Sequence, residues 1–477
     1  MKKSLLAVAA MTAFAGAAQA QSSVTVYGIL DVGYTGSNTS ITNGGSAGAG
    51  ATVNYPATNT TLTNPSQAYF PNSNVKQQQS GFGQSAEQTS RLGFKGTEDL
   101  GGGTSAFFTA EFGLAPQEQT LSGNTAGGLK NRQTFVGLKK NGLGDVAIGT
   151  QYTPVHIAVG KTDPGQQNNM TGSVIYTGQS DSGVVGAVGG NQLAYTSRIS
   201  NALTLNSETV AGFQGHFIGI LNNNNSTQIN STAVTGSNPM VGGNNNTNGW
   251  GLGVDYTLNK LFVTANYQAL KQLTTACNNV PLGLSATSAP ASAGTAAGVC
   301  GGLAAGAAAT SPFNAANGGG ATTWTIAGTT WNNQAYNIQD NQTYVGATYD
   351  FGILKAYASW ISRKATDTAN SGNYMKRQAE QVGVRSYVTP TVEAWASAGI
   401  GTFTPMGFNQ NSAHFNAWQL GSNYWLSKRT NLYAIYGQYA QANSTYTIYS
   451  APGVASGTPL QTSVNSNSYA VGVRHTF

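Results

Sequence analysis

The chain has 477 residues, a formal net charge of +6, 62 glycines and only 8% charged residues. That length could hold two or three soluble domains or one large barrel. So small a basic excess, with no run of Lys and Arg and no recognition motif beside it, gives no ground for a nucleic-acid partner, and the lack of any long apolar run free of Gly, Pro and polar side chains beyond the N-terminal stretch excludes a bundle of transmembrane helices.

The first residues read as an export signal. Lys2 and Lys3 give a basic start, Leu5 to Ala15 is mostly apolar, and Ala18-Gln19-Ala20 is a small-x-small cleavage site. Residues 1–20 are therefore assigned to a signal peptide and 21–477 to one barrel domain, and the formal charge falls from +6 to +4 when the two lysines leave. Export to an oxidising compartment favours a disulfide between Cys277 and Cys300 over a pair of free thiols. Two cysteines with no His between them make a poor zinc site.

The first strand is predicted from Val24 to Tyr34. Val24, Val26, Leu30, Val32 and Tyr34 share one face, while Thr25, Tyr27 and Asp31 share the other. A strand between lipid and water requires that alternation. The third repeats it, with Ala106, Phe108, Ala110 and Phe112 on one face and Thr109 and Glu111 on the other. Sixteen such segments start near residues 23, 89, 104, 131, 144, 197, 211, 248, 261, 340, 353, 376, 391, 413, 430 and 466. Connections alternate between short ones, such as Asn141–Gly144 and Asp350–Gly352, and long ones, including 36–88, 152–196 and the Ala/Gly/Ser/Thr-rich 272–339. The pattern is all-β: a 16-stranded antiparallel transmembrane β-barrel with short periplasmic turns and long extracellular loops. Tyr344, Tyr349, Phe351, Tyr424, Trp425, Tyr433, Tyr436 and Tyr439 cluster near strand ends and read as an interfacial girdle.

Parity selects the lumen side chains. Leu92 and Phe94 would meet lipid or a neighbouring subunit, which leaves Arg91 and Lys95 in the lumen. If the following turn pairs Glu98 with Thr104, Arg91 falls opposite Glu111. On the fourth strand an outward Phe135 would put Arg132 inward.

Several stretches resemble the general-porin family of Gram-negative bacteria, in its β-proteobacterial branch. Ser23-Val-Thr-Val-Tyr-Gly-Ile-Leu-Asp31 is similar to the first strand of that branch, and Ser90-Arg-Leu-Gly-Phe-Lys-Gly-Thr-Glu-Asp-Leu-Gly-Gly-Gly103 to its second strand and first periplasmic turn. Asn131–Leu138 resembles its fourth strand, Tyr349-Asp-Phe-Gly352 and Tyr424–Thr430 its later turns, and Val471-Gly-Val-Arg-His-Thr-Phe477 its closing strand. The resemblance implies an outer-membrane homotrimer whose third external loop, here 152–196, folds inward and narrows a water-filled pore for small hydrophilic solutes and ions. It also matches Arg91, Arg132 and Arg198 to basic wall residues of the constriction and Phe477 to the signal read by the barrel-assembly machinery. Outer-membrane lipid and lipopolysaccharide are the expected surroundings. The sixth strand departs from the family pattern: Thr204 stands where a basic residue is expected, Leu205 where Tyr is and Glu208 where Pro is.

A porin makes and breaks no bonds; its working parts are lumen side chains at the narrowest level. Asp163 and Asp181 on the inward loop, with Lys161 nearby, are the candidate carboxylates opposing the arginines, and a mild anion preference is expected from the basic excess. No cofactor or metal is expected, because His156, His216, His414 and His475 are scattered and none has metalloprotease spacing. Two rival readings are an adhesin acting through 272–339 and a barrel hydrolase using His156 or His414 as base.

Overall fold

The computed structural model describes residues 23–44, 52–55, 60–63, 73–123, 128–176, 198–224, 245–277, 323–326, 329–368, 371–408, 411–446, 449–451, 454–455 and 460–477. Residues 1–20, Asp181 and Cys300 lie outside them.

Sixteen antiparallel staves close into one barrel. They are β1 (Ser23–Gly44), β2 in two segments (Ser73–Gln84 and Arg91–Gly101), β3 (Thr104–Gly113), β4 (Asn131–Lys140), β5 (Gly144–Tyr152), β6 (Arg198–Ser207), β7 (Phe213–Asn224) and β8 (Asn245–Leu258). The second half comprises β9 (Leu261–Cys277), β10 (Thr329–Asp350), β11 (Lys355–Asp367), β12 (Asn373–Tyr387), β13 (Val392–Phe408), β14 (Ala413–Trp425), β15 (Thr430–Tyr446) and β16 (Leu460–Thr476). Each stave pairs with its chain neighbours, and β1 closes the ring on β16 from Ile29↔Thr476 to Gly44↔Gln461. Closure removes the free edge whose unpaired backbone groups an open sheet would expose to lipid. Among the described residues no helix is long and apolar enough to cross a membrane.

Polar stretches assigned to loops prove to be strand. β1 runs on to Gly44, β9 to Cys277, β10 starts at Thr329 and β16 at Leu460. A strand needs only about 9–11 residues to cross the hydrocarbon; beyond it neither face meets lipid, so the apolar alternation that marks a strand disappears while the pairing continues.

Two register details correct the sequence reading. The β2–β3 turn pairs Glu98 with Ala106, not Thr104, so Arg91 lies opposite Gly113 and Glu111 opposite Gly93. Gly101, Gly102 and Gly103 all have positive φ, and this wider glycine turn displaces the register by two residues without changing faces. On β4, Phe135 stands opposite the lumen-facing Thr109 and packs edge-on against Phe107, so it points inward. Val136 and Leu138 are the outward residues, 62% and 50% exposed. The register slips between Glu111↔Gln133 and Phe112↔Asn131, which leaves Arg132 as the extra residue of a β-bulge. The bulge, not the alternation, turns Arg132 inward.

The aromatic girdle also divides. Tyr349, Phe351, Tyr424 and Tyr436 are exposed on the outer face, whereas Tyr344, Tyr433 and Tyr439 are buried inside the barrel and Trp425 donates to Glu393. The inward tyrosine hydroxyls find polar partners: Tyr433 donates to Asp31 Oδ1 at 2.6 Å and Tyr344 bonds Thr162.

Candidate pore constriction

The chain leaves β5 at Tyr152 and turns into the barrel as helix α1 (Pro154–Thr162). The start signal is local: Thr153 caps the helix by accepting from His156 N, and Pro154 takes the first helical position, where its missing N–H costs nothing. Val155, Ala158 and Val159 of α1, with Val174, Ile175 and Tyr176 beyond it, bury against lumen-facing Ile338, Ile361, Met375, Phe403 and Phe415. Apolar side chains on the inner face of β10–β14 are thus covered by the segment rather than by water.

Polar ties continue around the wall in order. Lys161 pairs with Asp255 on β8 at 2.6 Å. Pro164 O accepts from Arg385 on β12 at 2.8 Å, Asn168 and Gln419 on β14 exchange amide bonds of 2.6 and 3.0 Å, and Thr171 N donates to Ser468 on β16 at 3.0 Å. Gly437 on β15 allows the closest approach, since a Cβ there would stand 1.9 Å from Thr171 O. The segment 153–176 therefore follows the inner wall from β8 to β16.

The opposite wall, β1 to β6, carries the residues matched to the constriction, Arg91, Arg132 and Arg198, with Glu111 among them. Arg132 Nε binds Glu111 Oε1 at 2.8 Å, and Arg132 Nη2 donates to Tyr152 OH at 2.8 Å. Tyr27 OH donates to the other Glu111 oxygen at 3.2 Å, and Lys95 Nζ sits 5.4 Å above the Tyr27 ring, toward the short-turn rim. Arg198 lies 5.7 Å from the Tyr152 ring centroid. Arg91 Nε donates to Thr89 O at 2.9 Å and Nη2 to Gln88 Oε1 at 3.1 Å. The His156 ring stacks on Tyr152 at 3.9 Å; burial, then the charges of Arg198, Arg132 and Arg91, hold its pKa well below the usual value. One imidazole thus senses all three arginines. Lys130, just ahead of β4, has its pKa lowered by burial and then by Arg198 and Arg132.

Asp163 of the inward loop is arranged differently from the sequence expectation. It is 3% exposed and turned toward the wall, where it accepts from Gln167 N at 2.7 Å and Gln381 Nε2 at 2.9 Å. Burial raises its pKa, against those hydrogen bonds and the Arg385 charge. It ends α1 and moors the loop to β12, on the side away from Arg91, Arg132 and Arg198. Thr204, at the expected basic position of β6, faces inward and donates to Gln151 Oε1 at 2.8 Å. Cys277 ends β9 opposite Asn333, and its expected partner Cys300 is outside the described residues. Phe477 exchanges backbone hydrogen bonds of 3.1 and 3.2 Å with Gly28. Of the two histidines considered as hydrolytic bases, His156 is stacked in the lumen and His414 is exposed on β14 among outward residues.

Between the loop and β1–β4 lies a cavity of about 690 Å³, bordered by Arg132, Lys130, Tyr176, Asn169, Ser37 and Glu118 among others. Sequence reasoning missed two features of this region: helix α1, signalled by Thr153-Pro154, and an inward turn at residues 85–90, for which the local sequence carries no signal.

A family description, Gram-negative porin, matches residues 7–325 and 275–444. An outer membrane porin protein of Bordetella pertussis is 35% identical over 168 residues, 34% of this chain and 37% of that protein. Outer membrane porin protein 32 of Delftia acidovorans is 35% identical over 154 residues, 32% of this chain and 33% of its own length. The matched stretches thus span about a third of these curated relatives. Among solved structures, an anion-selective porin from Comamonas acidovorans superposes with a TM-score of 0.54 at 20% identity, covering 96% of this chain and all of that one. In-vitro folded OmpT of Vibrio cholerae gives 0.54 at 12% identity, over 96% of this chain and 100% of its own. The β-barrel and the family match together place the chain in the outer membrane, as a member of the Gram-negative porin family.

Proposed function

We propose that the chain forms a water-filled, non-enzymatic channel for passive diffusion of small hydrophilic solutes and ions, with a mild preference for anions. The observation that carries this reading is the convergence of Arg91, Arg132 and Arg198 around Tyr152 and His156, beside a segment that narrows the barrel from within. With Lys130 the cluster holds four cationic groups, and Arg132 is paired directly to Glu111. A cationic wall of this kind attracts anions and repels cations at the level where a solute has fewest waters around it. Lys95 extends the basic wall toward the periplasm. Asp181 keeps the role expected from the sequence, an acidic residue of the loop, and lies outside the described residues; Asp163 acts as a mooring residue. The similarly folded anion-selective porin of Comamonas acidovorans favours the same sign of selectivity.

A homotrimer is the assembly we infer, since a trimer form of the Vibrio OmpT shares the fold. Phe477 is read as the assembly signal and Cys277 with Cys300 as a loop disulfide. The test is the reversal potential of the purified protein in a planar bilayer under a KCl gradient. A sign indicating chloride over potassium supports the reading, and a cation-selective sign refutes it.

A further inference from the structure

The second stave is interrupted in an unusual way. β1 pairs Val32 with Gln84 and Ile29 with Arg91, so two β1 residues, Leu30 and Asp31, face six residues, 85–90, on β2. The four surplus residues bend into the barrel, where Ala86, Glu87 and Ser90 are buried. Asp31 fastens the turn: its Oδ2 accepts from Glu87 N at 2.8 Å and Gln88 N at 2.6 Å. On the far side Glu87 reaches Asn431 at 2.9 Å and Arg474 at 3.4 Å. The turn is therefore a rigid projection held by β1, β15 and β16.

This projection meets the inward loop. Asn169 donates its backbone N to Ala86 O at 3.0 Å and its amide to Ser85 O at 2.7 Å. Gln88 is the joint between the two. Its Nε2 donates to Gln166 O on the loop at 2.8 Å, while its Oε1 accepts from Arg91 Nη2 at 3.1 Å. The amide has only one workable orientation, because a flip would face two donors and two acceptors.

We propose that Gln88 is a positioning residue for ion selectivity: it ties the Arg91 guanidinium to the inward loop and so fixes where that charge meets a permeating anion. The proposal rests on the anion-preferring reading above. Gln88 touches no other constriction arginine in the described hydrogen bonds, and its own side chain is uncharged, so any effect it has on selectivity must pass through Arg91 or through the turn's backbone.

A double-mutant comparison separates those routes. Wild type, Gln88→Met, Arg91→Ser and the double variant are each incorporated into planar bilayers, and the reversal potential is read in a KCl gradient. Met keeps the volume and loses both hydrogen bonds. Gln88→Met is expected to lower the chloride-to-potassium permeability ratio by about twofold, less than outright loss of the Arg91 charge, and to change nothing further in the Arg91→Ser background. Gln88→Asn, too short to span both partners, should reproduce the effect and replaces Gln88→Met if that chain fails to insert. A ratio unchanged by both variants overturns the proposal. Equal shifts with and without Arg91 also overturn it, because the residue would then act on the fold alone. A wild-type channel without anion preference refutes instead the function on which the proposal rests.

Discussion

Removing charge from the constriction gives the sharpest quantitative expectation. Arg91→Ser/Arg132→Ser deletes two of the four clustered cations and leaves Glu111 without its 2.8 Å partner. For an ion passing at about 7 Å, one unit charge contributes about 0.6 kcal/mol at the dielectric constant of water. At 0.1 M salt, where the screening length is about 10 Å, roughly half of that survives. The term has opposite signs for chloride and potassium, so each lost charge changes their permeability ratio by about threefold, and the pair by about sevenfold. Water is the weakest limit, since a narrow passage has a lower effective dielectric constant, and these are minimum effects. Reversal potentials of single channels in planar bilayers would register the shift toward cations. In 1 M salt the difference should largely vanish, as screening shortens to about 3 Å. An unchanged reversal potential in 0.1 M salt would refute the assignment of these arginines to the passage.

Other consequences concern the moorings. Asp163→Asn should weaken the contact of the loop with β12 by about 1–3 kcal/mol, because Gln381 Nε2 loses a charged acceptor; faster proteolysis within 153–176 at an unchanged reversal potential is expected, and a large shift in selectivity would mean that Asp163 faces the passage after all. Gly437→Ala forces a Cβ into Thr171 O and should displace the segment at a cost of about 1–3 kcal/mol, read as a changed single-channel conductance; wild-type conductance would contradict the close approach. His156 is held neutral by burial and by the arginines, so selectivity should show no step near pH 6.5 owing to this group; a step that His156→Gln abolishes would contradict it.

Much of the fold was legible because a barrel writes itself in a period of two. β3, β4, β5, β9, β14 and β15 begin at the residues expected from alternation, and the short and long connections sort as two rims. Arg91 and Lys95 keep the face opposite Leu92 and Phe94 because no irregularity separates them along the strand. Arg132 reaches the lumen for a reason alternation cannot express: a bulge at that residue reverses the parity of everything after it, so Phe135 faces inward where alternation from Arg132 predicts outward. Three of the eight girdle residues, Tyr344, Tyr433 and Tyr439, point inward instead, because residue type alone does not give position along the pleat. The turn at 85–90 was illegible because its partners, Asp31, Asn431 and Arg474, lie about 55 to 390 positions away and announce nothing locally. Asp163 was identified as important by residue type, but only the packing of α1 reveals that it grips the wall.

The central claim is an open, anion-preferring passage through this barrel. Its most direct test is single-channel recording of the purified wild-type protein in a planar bilayer under a KCl gradient. The account predicts discrete ohmic steps whose reversal potential favours chloride. A correctly folded barrel that gives no steps, or steps that favour potassium, would contradict it.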